Sequence, residues 1–176
     1  MNITMRLGTE ADIDELEQLY DCLNDHLSAT VNYPGWRKGL YPVRQTAEEG
    51  VDEGGLYVAV YKDKIIGSMI LRHKPEPAYL PVKWTMDLEY EEVLVIYTFV
   101  VHPDYLGQGV GRELLEYASI VGRQSNIKAL RLDVNTDNLP AIRLYEKCGF
   151  HYIDTVDLGL GEYNLPWFKL YEKILL

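Results

Sequence analysis

The stretch with the most chemistry in it runs Phe99-Val100-Val101-His102-Pro103-Asp104-Tyr105-Leu106-Gly107-Gln108-Gly109-Val110-Gly111-Arg112. An apolar run ends in a Pro-containing turn, three glycines follow at alternate positions, and an amphipathic helical pattern begins. Strand, glycine loop, helix is how a backbone builds an anion site: bare amides point outward and the helix N-terminus adds positive potential. The spacing narrows which anion. Position 112 is Arg, so GxGxxG is not met, and no Lys-Ser/Thr pair follows, so the triphosphate loop is not met either. Alone, the segment reads as a phosphate cradle or as a tight strand-to-helix turn.

The elements that must position it follow from periodicity. Residues 9–27 read as a helix: Thr9 and Asp12 make a capping-box pair, and Ile13, Leu16, Leu19, Tyr20 and Leu23 recur at helical spacing. Residues 31–43 are broken by Pro34, Gly35, Gly39 and Pro42, and residues 44–53 suit a short helix. Leu56–Tyr61 and Lys64–Arg72 alternate as two strands joined by a Lys62-Asp63 turn. Residues 74–92 form an aromatic-rich excursion punctuated by Pro75, Pro77 and Pro81. Val93–Val101 is a buried strand, and Val110, Leu114, Leu115, Ala118 and Val121 stripe the next helix. Leu130–Val134 is a strand, Asn138–Lys147 a helix closed by Gly149, and His151–Val156 and Trp167–Ile174 are final strands. The order predicts an α/β domain with mixed strand directions.

Composition sets outer bounds. A chain of 176 residues, 47% apolar, suits one domain with a substantial core. Lys and Arg number 17 against 27 Asp and Glu, a formal charge of −10, which argues against a nucleic-acid partner and is compatible with a cationic small substrate. Cys22 and Cys148 give neither a disulfide framework nor metal-ligand spacing, and they fit a reducing, cytoplasmic setting. No apolar run is long enough to span a membrane, and residues 1–30 lack the basic-then-apolar order of a signal peptide. The 14 tyrosines exceed what the core periods absorb and could line a cleft.

Phe99–Arg112 resembles the acyl-CoA signature (Q/R)xxGx(G/A) of the GNAT acetyltransferase superfamily, after a strand ending Val-x-Pro. Asn138-Leu139-Pro140-Ala141-Ile142-Arg143-Leu144-Tyr145-Glu146-Lys147-Cys148-Gly149-Phe150 resembles that family's NxxAxxLYxxxGF. Two matches in order are far more specific than either alone. The resemblance implies one GNAT domain over residues 1–176, with a mixed, mostly antiparallel sheet of about six or seven strands and about four helices. It implies acetyl-CoA as donor, an amine as acceptor and no metal. It also implies a homodimer through late strands, for which the apolar Trp167–Leu176 tail is available. One departure stands out: the first motif position is Leu106, so a side-chain contact to the phosphates is missing and Arg112 is the nearby cation. Arg112 is open to two readings, a phosphate contact or a solvated helix face.

The resemblance assigns roles residue by residue. The backbone of Phe99 and Val101 pairs with the pantetheine arm as an added strand. An N–H near Val100 or Val101 polarises the thioester carbonyl. The amides of Gly107, Gln108, Gly109, Val110, Gly111 and Arg112 hold the pyrophosphate. Asn138 contacts the cosubstrate or caps its helix, or both. Tyr145 is the acid that protonates the leaving thiolate, against a reading as a core aromatic. The base is less defined. Tyr97 falls where many relatives carry Glu; an ordinary phenol is a poor base, so it suits shaping the acceptor site or passing a proton through water. His73, the Glu89, Glu91 and Glu92 group, and Asp133 are other candidates, with Asp133 also readable as a partner for Arg131. For the acceptor, Tyr33, Trp36, Tyr41, Trp84 and His73 are the expected contacts; aromatics among acids suit an ammonium group, and packing of the N-terminal helices is the other reading of these residues. Direct acetylation of a small-molecule amine is the expected activity, with a non-catalytic acyl-CoA-binding module or a protein N-terminal acetyltransferase as alternatives.

Overall fold

The computed structural model describes residues 1–176. Its strands are β1 (Thr4–Leu7), β2 (Leu56–Tyr61), β3 (Lys64–Arg72), β4 (Val93–Val101), β5 (Ala129–Asn135), β6 (His151–Val156) and β7 (Phe168–Ile174). Its helices are α1 (Ile13–Ala29), α2 (Arg44–Asp52), α3 (Val110–Gln124) and α4 (Leu139–Lys147). The seven strands form one sheet in the order β1-β2-β3-β4-β5-β7-β6. Strands β4 and β5 pair in parallel, Val93–Val95 against Ala129–Arg131, which requires a crossover supplied by α3. The β1–β2, β2–β3, β5–β7 and β6–β7 pairs are antiparallel. This is the mixed, mostly antiparallel sheet with four helices that the family resemblance implies.

Local chemistry explains most boundaries. The β2–β3 hairpin turns at Lys62 and Asp63 with φ of 48° and 61°, the pair of left-handed residues that a type I′ turn needs. Helix α4 opens on Asn138, whose Oδ1 accepts from the Ala141 N–H at 3.3 Å. The first helix differs from expectation: residues 10–12 form a 3₁₀ turn, and the α-helix runs from Ile13 to Ala29. Asp12 fixes that start by accepting from the Thr9 N–H at 2.8 Å and from the Arg6 guanidinium at 2.8 and 2.9 Å. Strand β1 is absent from the sequence reading. It has four residues and one short partly buried stretch, too little for an alternation signal, and exists because β2 offers it an edge.

By Cα proximity the chain divides into two compact units. One holds Met1–Asn32, Trp36–Leu71 and Tyr97–Tyr117. Its core packs Ile13, Leu16, Leu19, Tyr20, Leu23 and Leu27 of α1 against Leu56, Val58, Ile65, Ile70 and Val100 of the sheet. On its surface, Arg44 of α2 reaches Asp14 and Glu17 of α1 at 2.7 and 2.8 Å.

The other unit holds Tyr33–Gly35, Arg72–Ile96 and Ala118–Leu176. At its centre Arg131 and Glu172, each 1% exposed, face each other across β5 and β7 at 2.9 Å. One N–H of each terminal nitrogen goes to the Tyr90 hydroxyl (3.0 Å) and the Met86 carbonyl (2.9 Å), while Trp84 covers the guanidinium face at 4.2 Å. Glu172 also accepts from the Thr85 N–H at 3.0 Å. The irregular 74–92 excursion thus closes around this ion pair, and Arg131 pairs with Glu172, not with Asp133. No helix is long and apolar enough to cross a membrane.

Removing one partner of a desolvated pair leaves the other charge uncompensated. Glu172→Gln is expected to lower unfolding stability by about 3 kcal/mol, measured by urea denaturation; an unchanged midpoint would mean the pair carries little of this unit's stability.

Candidate functional site

In the first unit the glycine loop is built by β3, β4 and α3. Gly67 of β3 leaves room for the first turn of α3: a Cβ there would meet Leu114 at 3.0 Å, Val110 at 3.1 Å and the Val100 carbonyl at 3.1 Å. Val110 is buried by this contact, so the start of α3 is set against the sheet. Gly107 and Gly109 have φ of 72° and 86°, and a Cβ at either would meet nothing within 4 Å. These glycines are required by conformation, and the space above them is open. Gln108 braces the loop by donating to the Asp104 carbonyl at 3.0 Å. Leu106 is exposed, and Arg112 faces Glu116 at 3.6 Å on the solvated side of α3. The loop therefore offers open main-chain amides at a helix N-terminus, which fits a pyrophosphate.

Just before the loop, His102 is buried. Its Nδ1 accepts from the Asp104 N–H at 3.1 Å, and Nε2 lies 3.8 Å from Cys22 Sγ. Burial, with Lys64 nearby, holds its pKa below the usual imidazole value, and Asp104 opposes the shift. In the same unit Tyr97 packs partly buried against the α1 core. Trp36 meets the Tyr41 ring edge-on at 5.5 Å.

The second unit holds an acid–base pair of contrasting character. Tyr145 of α4 is buried against Phe150 and Tyr171, at centroid distances of 5.9 and 6.5 Å. Burial first, and the charge of Asp133 second, push its phenol well above the ordinary value, so it keeps its proton. Asp133 of β5 accepts from the Tyr79 hydroxyl at 2.6 Å. Burial pushes its carboxyl up to about 6, with Glu76 adding to the rise and the Tyr79 bond opposing it.

Other sequence candidates hold structural posts in this unit. His73 Nδ1 donates to the Tyr90 and Val93 carbonyls (2.9 and 2.8 Å), closing the base of the 74–92 excursion. Trp84 donates from Nε1 to the Tyr79 carbonyl at 3.1 Å. Tyr33 presents its carbonyl to Asn135 Nδ2 at 2.9 Å, with its side chain exposed. Of the predicted residues, Trp36, Tyr41, Tyr97 and Phe99–Arg112 thus belong to the first unit, and Tyr33, His73, Trp84, Asn138 and Tyr145 to the second. Tyr79 was not singled out by sequence: it lies 54 positions from Asp133 in a Pro-broken segment, and only the surplus of aromatics there hinted at it.

A mixed sheet with β4 and β5 parallel, a glycine loop after β4 and a capped α4 carrying a buried tyrosine agree with the acyltransferase fold that the resemblance implies. The Acetyltransferase (GNAT) family model matches residues 16–150, and the chain belongs to that family. An uncharacterised N-acetyltransferase of Methanocaldococcus jannaschii is 25% identical over 97% of this chain and 67% of its own length. Other relatives match over less: streptothricin acetyltransferase of Escherichia coli is 32% identical over 39% of each chain. The chain spans only 22% of a Bacillus subtilis relative, UPF0157 protein YqkA. Among solved structures, a GNAT acetyltransferase of Streptococcus agalactiae superposes with a TM-score of 0.79 at 18% identity, over 98% of this chain and 95% of that one. YncA of Salmonella typhimurium, solved with its cofactor acetyl-CoA, gives 0.73 at 16% identity, over 100% and 95%.

A carboxyl that binds its proton more tightly in the native state than in the unfolded chain contributes stability at low pH, and loses it as pH rises through its native value of about 6. Asp133→Asn is therefore expected to melt higher than wild type at about pH 7.5, with the gain shrinking towards zero by about pH 4. Melting curves across that range check it; a gain independent of pH would contradict the raised carboxyl.

Proposed function

We propose that this enzyme transfers the acetyl group of acetyl-CoA to the primary amine of a small molecule, by direct attack in a ternary complex. What supports the reading is the contrast between Asp133, which accepts from the Tyr79 hydroxyl at 2.6 Å and whose carboxyl burial pushes up to about 6, and Tyr145, whose buried phenol keeps its proton. It favours Asp133 among the sequence's candidate bases and supports catalysis over a module that only binds acyl-CoA.

The cosubstrate's pyrophosphate rests on the amides of Gly107–Arg112, and the main chain of Phe99 and Val101 pairs with the pantetheine arm. An N–H near Val100 polarises the thioester carbonyl. The acceptor arrives as an ammonium and gives one proton to Asp133. Its nitrogen then attacks the carbonyl carbon; the C–N bond forms and the C–S bond breaks. Tyr145 protonates the departing sulfur, the second proton lost from nitrogen restores Tyr145 through solvent, and Asp133 releases the first proton to solvent. The acids Asp133 and Glu76 favour a cationic acceptor, and the streptothricin acetyltransferase relative is in keeping with a small-molecule one.

An amine panel scored by CoA release, with an Ala-initiated peptide as one member, tests the acceptor class; turnover of the peptide alone would overturn the small-molecule reading, and acetyl-CoA binding without any turnover would overturn catalysis. Tyr145→Phe is expected to lower kcat by about a hundredfold while acetyl-CoA affinity changes less than about twofold. In wild type kcat/KM falls as pH drops through about 6, as Asp133 takes up its proton, and Asp133→Asn lacks that limb. A limb that persists in the variant would remove Asp133 as base.

A further inference from the structure

Thr98 sits within β4 with φ of +47°. A β-branched residue there is a true outlier, because its Cβ crowds its own backbone in the left-handed region. Such a conformation persists only where the surroundings over-determine it. Thr98 is 5% exposed, and its hydroxyl shares a 2.5 Å hydrogen bond with the Tyr41 hydroxyl.

Tyr41 is itself fixed on three further sides. Its N–H donates to the Arg37 carbonyl at 3.0 Å. Its carbonyl accepts from Nδ2 of Asn24, a buried residue of α1, at 3.1 Å. Its ring abuts the edge of Trp36, whose own main chain is held by Asn32 through bonds of 2.7 and 3.2 Å. A chain of contacts thus runs from the α1 core through Tyr41 to one strained residue. The torsions of residue 98 set the direction of the peptides that follow, those of Phe99 and Val100.

We propose that Tyr41 is a positioning residue: its hydroxyl pins Thr98 in the left-handed conformation and so orients the main chain of Phe99–Val101 to receive the pantetheine arm. This rests on the acetyl-CoA reading above, and it gives Tyr41 a task separate from contact with the acceptor. Losing the hydroxyl lets Thr98 relax, and the following amides turn from their ligand-ready orientation.

The test places Tyr41→Phe in two backgrounds. In the wild-type background it is expected to weaken acetyl-CoA binding by about five- to tenfold, measured by calorimetry well below the melting temperature. In the Thr98→Gly background it is expected to have almost no effect, because glycine takes a positive φ without a Cβ to pin. A purely structural tyrosine would weaken both backgrounds alike, and that result, or undiminished binding by Tyr41→Phe, overturns the proposal. Amide resonances of Phe99 and Val100 give a readout that needs no ligand: they shift in Tyr41→Phe, and not when the same change is made on Thr98→Gly. If wild type binds no acetyl-CoA, the functional reading fails, while unmoved resonances in Tyr41→Phe still overturn the pin by itself.

Discussion

A guanidinium kept from water governs the C-terminal half of this chain. Arg131 has almost no solvent to turn to, so each of its three guanidinium nitrogens must find a protein acceptor. It finds them in Glu172 on the neighbouring strand and in the excursion between β3 and β4, at Tyr90 and Met86. That excursion has no regular ladder and three prolines that interrupt any attempt at one. Part of its course is set by where a buried cation can be satisfied, with His73, Tyr79 and Glu92 fixing the rest. With the excursion so anchored, Tyr79 reaches the carboxylate two residues along the same strand, at Asp133. A structural ion pair and a candidate catalytic carboxylate therefore share one strand and one loop.

The N-terminal half depends on a different constraint, which is backbone geometry. The glycine loop is shaped from below by the missing side chain at Gly67 and from above by the positive φ of Gly107 and Gly109. Leu106 adds no cation, and Arg112 at the end of the loop faces Glu116. Anion recognition by such a loop relies on amide dipoles and the start of a helix, which cost little to desolvate and do not titrate.

How much of this the sequence disclosed follows the range of the interactions. The β2–β3 hairpin was legible to the residue, since strand alternation and a Lys-Asp turn are both local. Helix α4 was legible through its Asn138 cap and Gly149 stop. Strand β1 was not, because four residues carry no period and depend on an edge some fifty positions away. The two signatures located the glycine loop and Tyr145. They were silent on Tyr79 and Asp133, on Arg131 and Glu172, and on Tyr41 and Thr98, each a pair closed by tertiary structure over 41 to 57 positions. No sequence signal marks a threonine for a left-handed torsion; residue preferences point to Gly or Asn there.

The three tryptophans sit at three of these places. Trp36 touches Tyr41 in the first unit, Trp84 lies under the Arg131 guanidinium in the second, and Trp167 is 53% exposed. An indole beneath a cation, one edge-on to a phenol and one in water differ in polarity and in nearby quenchers. The chain is thus already labelled. With two of the three replaced by Phe, the emission of the third follows the frame, the pinned strand or the solvated surface individually, with no dye attached.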